Sequence, residues 1–349
     1  MYCLIGYEIR ILKQMHAIYE THLRKFIVKP RDTFINALEC KMPSGRVPHF
    51  ELIFFLTMEA FGRIHPSQRT YGQWDQMSET ERGLHRNDIA DLYIQTAKKY
   101  GHSAIFFHPA GGWHNNDDET MRILDIIRQL SGMDYFLMKH GDATYSIPYG
   151  NDMMNFITSL YDNPKAAKDT AQKNVDYALE IAQKYKKHGI LDGFALCSDY
   201  CFNTGPFLSP AMFDEFVTPY LIQTIAGYRS LGFYTIKHTD GNIMPILDSL
   251  IAAKPHAIHS LDPQGGVDIA EVKRIVDGKI CLIGNVNCSL MDTGTEEQVV
   301  ESARYALKNG MPGGGYIFST SNCIYTGMNL KRYELMLDIW RNEGNYEQP

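Results

Sequence analysis

The chain alternates short apolar runs with longer segments in which apolar residues recur every three to four positions. The short runs are rich in β-branched and aromatic residues and are bounded by Gly, Pro or Asp. They predict strands at Val47–Phe54, Ala104–His108, Tyr135–Met138, Gly193–Cys197, Phe233–Ile236, Ala257–Ser260, Ile280–Ile283 and Tyr316–Phe318. Helical patterns lie between them, among others at Ala166–Lys187, Ala211–Ser230, Ile243–Ala252, Glu296–Lys308 and Leu330–Arg341. Ser209 offers a capping hydroxyl just before Pro210, and Thr295 ahead of Glu296 and Glu297 opens another helix. The Gly-, Asn- and Asp-rich stretch from Pro109 to Asp118 reads as a loop.

Strand followed by helix, repeated along the chain, predicts an α/β protein with a single (β/α)8 TIM barrel over residues 30–349, behind a helical N-terminal extension at 1–29. An open doubly wound sheet is the alternative. However, no Gly-x-Gly-x-x-Gly follows an early strand, and Gly313-Gly314-Gly315 precedes a strand instead of joining strand to helix.

Composition narrows the function classes. With 349 residues, 44% of them hydrophobic, the chain can bury a large core, and α/β barrels of this length commonly form one domain. A formal net charge of -6 argues against a nucleic-acid binder, which would carry a basic stripe. The densest basic cluster, Lys184 to Lys187, ends a helix, where it complements the macrodipole. Seven scattered cysteines suit a reducing compartment better than a disulfide framework, so a cytoplasmic location is expected. No apolar run reaches the ~18 residues of a membrane span. Residues 1–30 lack the apolar core and small-residue cleavage site of a signal peptide, and are a candidate for homodimer contacts.

Candidate chemistry lies at the strand ends, which meet around one mouth in a barrel. They supply Glu51, His108, His140 with Asp142, Asp199 with Tyr200, His238 with Asp240 and Asn242, Asp262, Asn285 with Cys288, and Cys323. Buried carboxylates and imidazoles need partners, so this crowd points to a chemical site more than to packing. Within Ile236-Lys237-His238-Thr239-Asp240-Gly241-Asn242, alternate residues of an extended backbone face the same side, so His238 and Asp240 can converge. With Cys323 they would give Zn2+ an imidazole, a carboxylate and a thiolate, leaving a fourth position open. In the competing reading His238 and Asp240 hydrogen-bond substrate or backbone and Cys323 is a small buried hydrophobe. Asp199 is a candidate hydrogen-bond acceptor for substrate or a general acid, or else caps a loop. His140 and Asp142 either close over substrate or pair within a surface loop. Cys288 is an alternative thiolate ligand. His256 and His259 read as structural histidines, and Cys197 and Cys201 as packing.

Pro30-Arg31-Asp32-Thr33-Phe34-Ile35-Asn36-Ala37-Leu38 followed by Gly45-Arg46-Val47-Pro48 resembles the opening of the uroporphyrinogen decarboxylase superfamily. Gly205-Pro206-Phe207-Leu208-Ser209-Pro210-Ala211-Met212-Phe213 with Pro219-Tyr220 is similar to its "SP-x-x-F…PY" segment. His238-Thr239-Asp240-Gly241-Asn242, Gly284-Asn285-Val286 and Gly314-Gly315-Tyr316-Ile317 match further blocks, and the resemblance extends over residues 30–345. It implies a (β/α)8 barrel with its site at the strand C-termini.

The superfamily divides by chemistry. True uroporphyrinogen decarboxylases work without metal on a porphyrinogen bearing many carboxylates, and carry an "R-Q-A-G-R-Y" segment after the first strand. Here that place reads Phe50-Glu51-Leu52-Ile53-Phe54-Phe55, with no arginine before Arg63. A polycarboxylate site would not place Glu51 there. The other branch holds corrinoid-dependent methyltransferases, whose zinc site uses His-x-Cys and a distant Cys after the last strand. His238 and Cys323 match that pattern, and Asp240 replaces the middle cysteine. The harder donor set suits zinc acting as a Lewis acid on a methoxy oxygen better than zinc activating a thiol.

The expectation is a zinc-dependent methyltransferase. It would move a methyl group between a small-molecule donor or acceptor and the cobalt of a partner corrinoid protein. His238, Asp240 and Cys323 would hold Zn2+, Asp199, His140 and Asn285 would orient substrate, and Glu51 would serve as an extra ligand or acid. The chain has no Asp-x-His-x-x-Gly corrinoid motif, so cobalamin would arrive on the partner. The alternatives are a metal-free carboxy-lyase using Asp199 or Asp240, and a non-catalytic corrinoid- or tetrapyrrole-binding barrel.

Overall fold

Seven of the expected strands form one curled parallel sheet in the computed structural model, which describes residues 29–42, 45–108 and 116–346. The strands are β1 (Ala104–Phe107), β2 (Phe136–His140), β3 (Gly193–Cys197), β6 (Tyr234–Thr239), β7 (Ala257–Ser260), β8 (Cys281–Val286) and β9 (Tyr316–Thr320), paired in that order. A small hairpin of β4 (Cys201–Phe202) and β5 (Gly205–Pro206), which the pattern did not predict, follows β3. Apart from Lys29, the expected helical extension at 1–29 lies outside the described residues, as do residues 109–115 of the expected loop. No helix of the described residues is long and apolar enough to cross a membrane.

The eighth expected strand, Val47–Phe54, is a correction to the predicted barrel. This segment lies between the two edge strands, but joins them through isolated parallel bridges, from His49 to His102 and to Phe318, and from Phe54 to Ile324. Pro48 has no N–H to donate, so a continuous ladder cannot form through it, although its carbonyl accepts from Phe318 N. The architecture is therefore barrel-like, with seven ladder strands and one irregular stave.

Strand alternation sorts the core into two layers. Phe106, Met138, Ala195, Ile236, Ala257, Ile283 and Ile317 face inward, and Phe34, Ala37 and Leu38 of the helix Pro30–Leu38 join them. This helix plugs the end where the strands begin. Arg31 and Arg128 share the Asp192 carboxylate beside it, at 2.7 and 2.5 Å, so the leading arginine of the helix is structural and remote from the strand C-termini. Ile105, Leu137, Leu196, Ile258, Leu282 and Phe318 face outward, against the helices. The expected helix Ala211–Ser230 is broken into Pro210–Phe216 and Thr218–Ser230, because Pro219 offers no N–H to continue the ladder. The longest helix missed by periodicity, Glu79–Tyr100, starts at a capping box formed by Ser78 and Glu81.

Candidate metal centre

Register and pleat bring the site together. His238 on β6 is aligned with Cys197 on β3 and with His259 on β7, and all three lie on inward-facing positions. Two residues after Cys197 and His238, just past the ends of β3 and β6, come Asp199 and Asp240. Ligand atoms of Asp199, His238 and Asp240 all lie within 4.8 Å of one another. His238 Nε2 is 3.6 Å from Asp240 Oδ1 and 3.8 Å from Asp199 Oδ1. Donors bound ~2.1 Å from a tetrahedral ion stand roughly 3.4 Å apart, so the three are spaced as ligands of one cation rather than as hydrogen-bonded partners.

Each of the three is oriented from behind. His238 is 5% exposed, and its Nδ1 lies 2.7 Å from His259 Nδ1. Burial holds the His259 imidazole well below its usual pKa, hence neutral. With the proton on His238 Nδ1 and donated to His259, the lone pair of His238 Nε2 faces the two carboxylates. Asn322 donates to Asp240 Oδ2, while Asp240 Oδ1 is buried with no hydrogen-bond partner. Burial pushes the Asp240 carboxyl above its ordinary pKa, and the neighbouring Asp199 adds to this while His238 opposes it. Asp199 Oδ1 accepts from the backbone N–H of Asp240 at 3.3 Å. An orphaned carboxylate oxygen, an available imidazole nitrogen and a second carboxylate fit a divalent cation, and fit hard or borderline ions better than thiophilic ones.

The remaining predicted residues fall elsewhere. Cys323 is buried near Asp240, but its sulfur is not part of the 4.8 Å set. Burial, reinforced by the nearby Asp240 carboxylate, keeps its thiol protonated. Its backbone N–H instead donates to Asn322 Oδ1, which helps aim the Asn322 amide at Asp240. Glu51 is buried against β9, accepting hydrogen bonds from Thr320 N and Oγ1 and from Ser319 Oγ. Burial raises it to about 8 despite those bonds, so it is a neutral acid at pH 7. Asn285 is buried, and its amide donates to the Leu261 carbonyl. His140 ends β2 with its side chain exposed, outside the cluster. Asp142 does not belong to a surface loop; its side chain is wholly buried and forms an ion pair with Lys237 at 2.7 Å. Asp262 caps the turn at Gln264, and Cys288 N bonds Ser321 Oγ.

Sequence reasoning missed His259, Lys237 and Asn322. The first two carried a signal: His259 shares the inward parity of His238 once β6 and β7 are paired, and a lysine inside an apolar strand demands a buried partner.

A close backbone approach fixes the turn after Asp240. A Cβ on Gly265 would meet Gly241 C at 2.3 Å and Asn242 N at 2.5 Å, and Gly241 itself has φ +75°. Gly265→Ala is expected to cost about 1–3 kcal/mol through overpacking and to weaken cation binding by displacing residues 240–242. Urea unfolding and cation titration of the variant check this, and an unchanged midpoint with unchanged binding would contradict it.

The family model described as Uroporphyrinogen decarboxylase (URO-D) matches residues 143–342. Comparison with the curated proteins gives no match. Among solved structures, a methyltransferase from Methanosarcina mazei superposes with a TM-score of 0.69 at 15% identity, covering 90% of this chain and 98% of its own. A GH5_18 protein from Streptomyces cattleya in complex with GlcNAc superposes with a TM-score of 0.51 at 10% identity, covering 88% of this chain and 83% of its own. At these identities the likeness is one of fold.

Proposed function

Because the chain belongs to the uroporphyrinogen decarboxylase family, we propose that its strand-end cluster is a divalent-cation site used for methyl transfer between a small methyl donor and the cobalt of a separate corrinoid protein. The observation that carries this reading is the convergence of Asp199, His238 and Asp240 within 4.8 Å. The nearly full-length superposition on the Methanosarcina mazei methyltransferase supports it.

Asp199, His238 and Asp240 would hold Zn2+, with Cys323 close by as a reserve ligand. Bound there, zinc supplies Lewis acidity toward the heteroatom that loses its methyl group. The chain's own residues do the rest. His259 fixes the ring of His238, and Asn322 fixes one oxygen of Asp240. Glu51 holds a proton near Ser319 and Thr320 until about pH 8, available to a leaving oxygen. His140, exposed at the end of β2, would contact substrate or the incoming partner, and Asn285, buried at the end of β8, would act only through the backbone it bonds at Leu261. A set of two carboxylates and one imidazole favours an oxygen-linked methyl donor over a thiolate.

The test is spectroscopic. A reduced corrinoid protein is mixed with this protein and with methanol or a methoxy-aromatic donor. Conversion of Co(I) to methyl-Co(III) is expected with an oxygen-linked donor and is lost after chelation. If no donor produces methyl-cobalt while the protein demonstrably holds its cation, methyl transfer is the wrong reading and the non-catalytic corrinoid- or tetrapyrrole-binding alternative gains.

A further inference from the structure

Lys237 and Asp142 form an ion pair at 2.7 Å, both side chains wholly buried, directly behind the strand-end cluster. A buried pair of this kind contributes little net stability, since apolar residues of similar volume commonly do as well. Its connections show what it holds. Lys237 Nζ donates to the carbonyls of Leu196 at 3.2 Å and Ser198 at 3.0 Å, as well as to Asp142. Asp142 Oδ2 also accepts from the Ser198 backbone N–H at 3.0 Å. Both backbone polar groups of Ser198 are therefore gripped by the pair, one residue before Asp199. The grip is braced further. Asp142 Oδ1 accepts from Thr144 N at 2.9 Å, the Thr144 hydroxyl bonds Tyr200 OH, and Lys237 Nζ sits 4.1 Å from the Tyr200 ring centroid. Burial opposes ionisation of Asp142, yet the Lys237 charge and the Thr144 bonds bring its pKa below the usual range, so the carboxylate stays charged.

The geometry points to Lys237 and Asp142 as positioning residues that set the place of Asp199 in the cation site. They touch neither cation nor substrate and act through the backbone of Leu196 to Tyr200. Because Lys237 immediately precedes His238 on β6, the pair ties the β3 end carrying Asp199 to the strand carrying His238, and so fixes the separation of two ligands. This inference rests on the cation-site reading above.

The experiment is a double-mutant cycle on the full chain, read by Co2+ affinity and by the visible spectrum of bound Co2+. The pair is replaced together (Lys237→Met with Asp142→Leu), in the parent and in an Asp199→Asn background. In the parent, affinity is expected to fall about 10–100-fold, the usual cost of losing an outer-shell partner, with the Co2+ bands moving toward those of Asp199→Asn. In the Asp199→Asn background the same replacement is expected to change affinity by less than about 2-fold, because its target is already gone. Equal losses in both backgrounds, or no loss in a folded protein, overturn the inference. If the replaced pair fails to fold, Asp142→Asn is read in the same cycle. Failure of both to fold cooperatively shows a purely structural role and also overturns it. A parent that binds no Co2+ rejects the cation-site reading itself, a result distinct from these.

Discussion

Asp240→Asn is expected to make the cation-free protein more stable and to remove its response to divalent cations. The Asp240 carboxylate is mostly buried, beside Asp199, with Oδ1 lacking any hydrogen-bond partner. An amide of the same shape keeps an oxygen for Asn322 and gains an N–H2 that can donate to Asp199 or His238 Nε2. The like-charge and desolvation costs disappear together. The gain should be on the order of 1–3 kcal/mol at neutral pH, and it should shrink at low pH, where the raised pKa of Asp240 already leaves the parent carboxyl protonated. Cation stabilisation of the parent, about 2.7 kcal/mol at a hundredfold excess over the dissociation constant, should vanish in the variant. Melting curves with and without cation decide the matter. A variant less stable than the parent without cation, or one still stabilised by cation, would show that Asp240 is an ordinary structural carboxylate.

Glu51→Gln should flatten the dependence of stability on pH. The folded chain binds the Glu51 proton up to about pH 8, whereas the ordinary carboxyl value is 4.5. Between those two values the folded form carries a proton that the unfolded form has released, so stability falls as pH rises. It is fully present below 4.5 and is lost as pH climbs through 8. Each tenfold change in proton affinity corresponds to about 1.4 kcal/mol, so the loss across this window is on the order of several kcal/mol. Glutamine keeps the acceptor oxygen for Thr320 and Ser319 and never ionises. Chemical denaturation from pH 5 to 9 should therefore give a stability difference, parent minus variant, that falls steadily as pH rises towards 8 and is level beyond it. Parallel slopes would mean that Glu51 is ionised in the folded protein. If Glu51 donates its proton to the leaving oxygen, the variant should also lose turnover.

Much of the architecture could be read from hydrophobic alternation, because seven strands carry short β-branched or aromatic runs whose inward and outward residues pack against two different layers. The eighth failed for a local reason: the Val47–Phe54 run looks like a strand, but Pro48 removes a ladder donor, and pairing survives only as bridges through His49 and Phe54. The broken helix at Val217 had its cause in view as well, in Pro219.

The cluster was half legible. His238 and Asp240 follow from a two-residue period at a strand end. From sequence Asp199 reads as a substrate acceptor, a general acid or a loop cap, and its convergence with them depends on the parallel register of β3 and β6, which no local pattern encodes. Cys323 enters the expected set as a thiol at a strand end, and the resemblance to His-x-Cys zinc sites points to it again. The loop after β9 instead presents Asn322 to Asp240 and leaves the Cys323 thiol buried and protonated. His259 looked structural because a buried histidine usually is; only the pairing of β6 with β7 places it against His238.

The proposed chemistry depends on two carboxylates and an imidazole closing on one ion. The most direct measurement is a Zn2+ and Co2+ binding titration of the metal-stripped protein, run beside its His238→Ala and Asp199→Asn variants. The predicted result is about one ion per chain in the parent, with affinity reduced by more than ~100-fold when His238 is removed, beyond what loss of an outer-shell partner costs. Binding that is absent in the parent, or undiminished in both variants, would contradict it.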